Sequence, residues 1–320
     1  MGTKEKLLEL LTENPDGYLS GQALAEKLNV SRAAVCKAAK ALRDQGYGIH
    51  AVTHRGYRLF RNPDSADPQK IRELLTDPAW EIQYFDSLPS TNTLLRELAG
   101  QGAPEGTVVL AGSQSAGRGR MGRPFYSPEG TGLYLSILLK PRDLSPGESM
   151  QLTTMAAAAL CLAIEETTGK KPLIKWVNDL YLDGKKICGI LTEASFSMET
   201  GMIEDAVLGL GLNLYSPEEG FPQELAPIAG ALMEQQEADL KNRLTAAFLN
   251  EFGRLFRGHL FEEAAEIYRS RSLLTGKKIL VGENTARVLS VNDRCQLVVE
   301  FPDGQQQSLS YGEVTIVNPL

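Results

Sequence analysis

Lys175 to Leu191 reads KWVNDLYLDGKKICGIL. Asp183-Gly184 is a dipeptide that accepts the positive φ of a tight turn, so the stretch is predicted to be a β-hairpin turning there. Two lysines, Lys185 and Lys186, follow the turn directly. Working outward, β-like runs at Thr107–Ala111, Leu133–Leu139 and Ile203–Leu212 mix with helical patterns at Thr91–Ala99 and Met150–Thr168. Strands and helices in that order make an α+β domain from about Glu81 to Leu214.

Between the first two of those strands lies Gly117-Arg118-Gly119-Arg120-Met121-Gly122-Arg123. It matches G-x-G-x-x-G, the glycine turn of nicotinamide-dependent dehydrogenases. That turn must open a helix whose N-terminus holds the pyrophosphate. Here Arg123 to Gly130 reads RPFYSPEG, with two prolines and no helical period. The acid that would hold the ribose about twenty residues on is replaced by Leu138-Leu139-Lys140-Pro141-Arg142. No Walker A sequence is present either. Glycines alternating with arginines suit a different purpose, because the glycines let backbone amides approach an anion and the guanidinium forks bind phosphate oxygens.

The N-terminal region differs in charge from the rest. The chain as a whole carries a formal charge of -7. From Lys27 to Arg61, however, Lys27, Arg32, Lys37, Lys40, Arg43, Arg55, Arg58 and Arg61 face only Asp44. Ser20 caps a predicted helix Gly21–Leu28, and Ser31 caps a second one ending near Asp44. Val35, Ala39 and Leu42 recur at i, i+4 and i+7 to form its packing face, leaving the basic residues on the surface. Ile49–Val52 and Tyr57–Phe60 flank Thr53-His54-Arg55-Gly56 as a hairpin with a basic tip. Helix, turn, helix and hairpin make a winged helix-turn-helix. Asn62 to Pro68, polar and twice interrupted by proline, reads as a linker, with Asp67 capping a helix that has Pro68 at its first position.

Helical patterns at Gln236–Phe256 and Phe261–Arg269 precede short β-like runs at Lys278–Val281, Ala286–Val291, Gln296–Phe301, Gln306–Tyr311 and Thr315–Val317, which predict a small barrel. Cys36, Cys161, Cys188 and Cys295 are scattered, and with three histidines they offer no metal-site spacing and no disulfide framework. No run of eighteen apolar residues and no signal-like start occurs, so a cytoplasmic protein without a membrane partner is expected.

Ser90-Thr91-Asn92, Gln114, the GRGRMGR loop, LYLS at Leu133–Ser136, KWVNDLYL, KKICGILTE and GLGLNL together resemble the catalytic domain of biotin protein ligases. Gly17–Phe60, with SRAAVCKAAKALRDQGY and THRGYRLF, resembles the winged domain of the biotin-operon repressor. The resemblance runs from the N-terminal helices to the C-terminus. It implies three domains: a winged helix-turn-helix over 1–65, a ligase domain over 66–272 and an SH3-like C-terminal domain over 273–320. One departure is Val177, where the family usually has proline.

Residue by residue, the resemblance implies that Ser90, Thr91, Asn92 and Gln114 bind the ureido ring and its surroundings. Gly117, Arg118, Arg120 and Arg123 close over biotin and the phosphates, and Lys186 lies between the biotin carboxylate and the α-phosphate. Asn178 and Asn213 contact the adenine, on which Phe125 stacks, and Asp179 faces the metal-nucleotide or the incoming lysine. Ser31, Arg32, Lys37, Lys40 and Arg43 supply the recognition helix, and His54, Arg55 and Arg58 the wing. Taken singly, Asn178, Asp179 and Asn213 are equally at home in turns, and Trp176 is a packing residue.

The chemistry these roles serve is consistent with the residue types. Joining a carboxylate to a triphosphate requires cations where negative charge accumulates, which Lys186, the loop arginines and Mg2+ arriving with ATP would provide. The mixed anhydride is destroyed by water, which gives an ordering glycine loop a function as a lid. No dedicated metal cage and no Ser-His-Asp or Cys-His set is expected. The expected partners are the biotin carboxyl carrier domain of a carboxylase, operator DNA and a second copy in a ligand-promoted homodimer. Two other readings are a biotin-binding transcription factor without catalysis and a lipoate-attaching enzyme of related fold.

Overall fold

The computed structural model describes residues 2–14, 17–43, 47–52, 55–59 and 64–317, without the side chains of Arg43 and His50. The chain divides into two compact units, Met1–Pro63 and Asp64–Leu320.

In the first unit, helices α1 (Thr3–Thr12), α2 (Gly21–Leu28) and α3 (Arg32–Arg43) precede an antiparallel hairpin of β1 (Ile49–Val52) and β2 (Gly56–Leu59). The caps lie where the sequence places them. Ser20 Oγ accepts from Ala23 N at 3.0 Å and Ser31 Oγ from Ala34 N at 3.2 Å. Between them Asn29, at φ 51°, takes the left-handed conformation that ends α2. Leu7, Leu11, Leu24, Val35, Leu42 and Ile49 form the buried centre. Because α3 packs through Val35, Ala39 and Leu42, the side chains of Arg32, Lys37 and Lys40 are left exposed.

The second unit begins with α4 (Pro68–Leu74), capped by Asp67, whose Oδ1 accepts from Gln69 N. Its frame is a seven-stranded sheet. The strands are β3 (Glu81–Leu88), β4 (Thr107–Gln114), β5 (Gly132–Leu139), β6 (Leu173–Lys175), β7 (Asp179–Leu182), β8 (Lys185–Phe196) and β9 (Ile203–Asn213). They are ordered β3-β4-β5-β9-β8-β7-β6, with only β3 and β4 parallel among these neighbours. Every residue of β5 is buried, as expected of a strand covered on both faces.

Helix α5 (Thr91–Gly100) packs Leu95 against Val109, Leu138 and Val207. A larger core gathers α6 (Met150–Thr168), α7 (Leu240–Arg257) and α8 (Phe261–Ser270). The helical stretch Pro146–Thr168, which includes α6, is long and apolar enough to cross a bilayer by length and composition, yet twelve residues of α6 are buried inside the protein. Phe248, Phe252 and Phe256, four apart along α7, stack in series with centroids 5.8 and 5.7 Å apart.

The C-terminal strands β10 (Lys278–Val281), β11 (Asn284–Val291), β12 (Leu297–Glu300), β13 (Gln306–Leu309) and β14 (Thr315–Ile316) form one antiparallel sheet, ordered β13-β12-β11-β10-β14. Trp176 is indeed a packing residue: its ring is buried and Nε1 donates to the Cys295 carbonyl at 2.9 Å. The peptide between Trp176 and Val177 is cis.

Candidate active site

The sheet makes room for a cavity by omitting side chains. In GLGLN, Gly209 and Gly211 stand two apart on β9 and so share a face. A Cβ at Gly209 would lie 2.0 Å from Asn92 Oδ1, so only glycine lets the start of α5 rest there. At Gly211 it would meet the Phe125 ring at 2.6 Å. Gly189 stands opposite Gly211 in the β8–β9 pairing, so Phe125 lies over a platform of two glycines. The resulting cavity has a volume of about 260 Å³.

Its polar end is a connected row. Ser90 caps α5 through Thr93 N. Thr91 N donates to Gln114 Oε1 at 2.9 Å, and Gln114 Nε2 donates to Ser127 Oγ at 2.9 Å. Ser136, fully buried on β5, donates to Asn92 Oδ1 at 2.6 Å and lies 2.7 Å from the Thr91 hydroxyl. Asn92 Nδ2 in turn donates to Glu193 Oε2 at 3.0 Å. Ser90, Thr91, Asn92, Ser127 and Ser136 are buried and Gln114 and Glu193 half-buried, and their pairing in fixed directions suits a rigid polar ring that both donates and accepts.

The other end is cationic. The GRGRMGR loop contains a short 3-10 turn, Arg120–Gly122, with Met121 at φ 56°. Arg118 pairs with Glu193 at 3.5 Å. Arg120 donates to Asn178 Oδ1 at 3.0 Å and to the Gly312 carbonyl at 3.3 Å, and Arg123 pairs with Glu313 at 2.7 Å. The loop is therefore held by the hairpin on one side and by the turn before β14 on the other. Lys186 Nζ lies 2.7 Å from Asp179 Oδ1, which accepts no well-angled hydrogen bond. Burial lowers the pKa of neighbouring Lys175 and raises that of Tyr181 to about 12.

Ser90, Thr91, Asn92, Gln114, Arg118, Arg120, Arg123, Phe125, Asn178, Asp179, Lys186 and Asn213 all line this cavity. Gly117 does not. A Cβ there would lie 2.5 Å from the Phe125 carbonyl, so its smallness serves the close approach of the loop to its own return. Asn178 Nδ2 donates to the Ile190 carbonyl at 2.8 Å, and Asn213 Nδ2 donates to the Gly230 carbonyl at 3.1 Å. Sequence reasoning did not find Ser136 and Glu193 as site neighbours, nor Glu313 and the wall of Phe221, Leu225, Ile228 and Ala229. Ser136 and Glu193 stand inside LYLS and ILTE, motifs already noticed. The other five carry no local signal.

In the first unit Ser31, Arg32, Lys37, Lys40 and Arg55 are exposed, and Arg58 is half-buried. The guanidinium groups of Arg55 and Arg58 lie 5.8 and 5.1 Å from the Tyr18 ring centroid. His54 and the side chain of Arg43 lie outside the described residues. Among the described residues no cluster of three or more His, Cys, Asp or Glu could hold a metal ion.

Residues 84–213 match the biotin/lipoate A/B protein ligase family and residues 3–58 an HTH domain. The bifunctional ligase/repressor BirA of Bacillus subtilis is 34% identical over 312 residues, covering 94% of this chain and 95% of that protein. BirA of Escherichia coli is 32% identical over 210 residues, 65% of this chain and 63% of its own length. Among solved structures, a mutant of the biotin protein ligase from Aquifex aeolicus, in complex with biotin, is 25% identical and superposes with a TM-score of 0.63. It covers 75% of this chain and 99% of that one. With a relative this similar along nearly its whole length, the chain belongs to the family of the bifunctional ligase/repressor BirA, a biotin/lipoate-type ligase domain joined to an N-terminal helix-turn-helix.

Proposed function

We propose that the chain is an ATP-dependent biotin protein ligase that forms biotinyl-5'-AMP and transfers biotin to a lysine of a biotin carboxyl carrier domain, and that it represses biotin synthesis genes in response to biotin. The observation that carries the ligase reading is one cavity with a paired polar row at one end, Lys186, Arg120 and Arg123 at the other, and Arg118 tied to the row through Glu193.

Thr91 and Asn92, on the helix that Ser90 caps, and Gln114 at the end of β4 hold the ureido ring. The biotin tail runs toward Lys186, whose ammonium brings the carboxylate and the α-phosphate together by neutralising both. The carboxylate oxygen attacks the α-phosphorus, and pyrophosphate leaves. Phe125 stacks on the adenine, with Asn178 and Asn213 at its edge. Mg2+ arriving with the triphosphate would add positive charge at the α-phosphate beside Lys186. Arg118, Arg120 and Arg123 draw the loop down on the anionic product and exclude water. In the second step the neutral amine of the acceptor lysine, oriented by Asp179, attacks the acyl carbon and AMP departs. Incubation with biotin, ATP and an acceptor domain, read by mass spectrometry, tests this. An unmodified acceptor refutes it, and lipoate competing equally with biotin moves the substrate assignment.

We further assign the chain to the cytoplasm and the parts 1–65, 66–272 and 273–320 to DNA binding, ligation and an SH3-like module. The DNA reading rests on the exposed face of α3, with Ser31, Arg32, Lys37 and Lys40, together with Arg55 and Arg58 of the wing. To these we add Arg43 and His54 from the sequence. Two half-sites call for a homodimer. Closing the arginine loop on the adenylate orders surface that favours pairing, provided the dimer binds ligand more tightly than the monomer. Biotin with ATP is then expected to move the protein toward dimer in sedimentation and to raise operator affinity in parallel. That affinity should fall steeply with salt through counterion release. Ligand-independent DNA binding with an unmoved oligomeric state refutes the coupling.

A further inference from the structure

The three strands of the KWVND hairpin region bring four side chains to one face of the sheet. Lys175 stands directly opposite Asp179 in the β6–β7 pairing, and Tyr181 opposite Lys186 in the β7–β8 pairing. Directly opposed side chains in an antiparallel pair have Cβ atoms about 4.5–5.5 Å apart. Lys186 Nζ lies 2.7 Å from Asp179 Oδ1, and Lys175 Nζ lies 5.8 Å from the Tyr181 ring centroid. Asp179 thus pairs with the Lys186 ammonium, while the Lys175 ammonium stands on the same face over the Tyr181 ring, outside ion-pair distance of the carboxylate. Asp179 and Lys186 line the cavity and Lys175 does not. Lys175 is partly buried behind them, with Asp179, Lys186, Glu313 and Arg123 as the charged groups around it.

Resting on the reading of Lys186 given above, we propose that Lys175 is a positioning residue for adenylate formation: it holds the Asp179 carboxylate when Lys186 leaves that carboxylate for the biotin carboxylate and the α-phosphate. In the unliganded protein the ammonium that the reaction needs is engaged by Asp179. Its departure leaves a carboxylate with a buried oxygen facing incoming anions, an arrangement that is strongly unfavourable unless another cation remains beside it. Lys175 can turn onto Asp179 as Lys186 leaves, because it stands opposite on the neighbouring strand and does not line the cavity. Without it, no second ammonium is at hand to take over the carboxylate, and Lys186 is released less readily.

The test is a double-mutant cycle on the full chain, with pyrophosphate release in a single turnover as the readout and thermal unfolding as a check on folding. Lys175→Met is expected to slow adenylation about tenfold, and Lys175→Arg to stay within about threefold of wild type. In an Asp179→Asn background, with no carboxylate left to hold, Lys175→Met should change the rate by less than about twofold. Lys175→Gln serves if the methionine variant does not fold. Equal losses in both backgrounds overturn the proposal, as does an unchanged rate on removing Lys175 alone. Lys186→Ala run alongside separates the two readings. If it retains the wild-type rate, the role of Lys186 fails; if it loses the rate while Lys175→Met does not, only the role of Lys175 fails.

Discussion

Gly211→Ala tests the glycine platform beneath Phe125. The new Cβ would lie 2.6, 2.8 and 3.0 Å from three ring carbons of Phe125, while ordinary contact begins at 3.4 Å. Gly211 does not have a positive φ, so alanine suits its backbone. It is paired with Tyr134 on one side and Gly189 on the other, which leaves the sheet no freedom to retreat. The ring must give way by about 0.8 Å, and it can, because it borders the cavity rather than a packed core. An overpacked core would lose about 1–3 kcal/mol of stability. Here most of that cost is expected to appear in binding, as roughly tenfold weaker affinity for ATP, or about 1.4 kcal/mol. Calorimetric titration with a non-hydrolysable ATP analogue on the biotin-bound protein measures it, with biotin affinity expected to change less than about threefold. Gly189→Ala is the control: its Cβ would lie at ordinary distances, 3.6 Å from the ring and 3.5 Å from Lys186 Nζ, and should weaken ATP by less than about threefold. Unchanged ATP affinity in a well-folded Gly211→Ala protein refutes the ring's place at the nucleotide.

Lys186→Ala is expected to abolish most adenylate formation, and pyrophosphate release within a few-fold of wild type refutes its role at the carboxylate–phosphate junction. Arg120→Gly loses the bonds to Asn178 and Gly312, so adenylate should still form but escape. Chromatography is expected to find free biotinyl-AMP above wild type, and simple loss of synthesis counts against a lid. Lys241 is 4% exposed, and its Nζ lies 3.4 Å from the Gly130 carbonyl. Burial depresses its pKa below the ordinary 10.5, so the unfolded chain binds more protons between the two values and stability rises with pH across that window. Lys241→Met should remove this alkaline rise in denaturant unfolding, and an unaltered slope refutes the assignment.

Much of the fold was legible because its signals are local. The caps Ser20, Ser31 and Asp67 and the Asp183-Gly184 turn each act within a few residues, and each is found where it was read. Helix α6 spans Met150–Thr168, the stretch its apolar pattern marks, and strands Thr107–Gln114, Gly132–Leu139 and Ile203–Asn213 extend the expected runs by one to three residues. The helical pattern from Gln236 begins instead at Leu240, after Asp239 takes a positive φ. The site's own residues were readable through motifs, while their partners were not. Nothing near Glu313 announces Arg123, because their meeting depends on how β10 and β14 return to the hairpin. The 221–229 wall is set by strand-like bonds of Lys186 to Ile228 and Gly230, a pairing no periodicity encodes.

The lock on the arginine loop also bears on how the protein is made. Arg120 and its carbonyl partner Gly312 are 192 positions apart. At a synthesis rate of about 5–20 residues per second, the loop waits roughly 10–40 s on the ribosome before its second anchor exists. During that interval the hairpin lysines and all three arginines are already present, while the turn that restrains two of those arginines has not been translated. The helix-turn-helix unit, made first, has by then had time to fold. A chain stalled before residue 312 would carry every cation of the site but lack the two contacts that fasten Arg120 and Arg123 to the turn before β14.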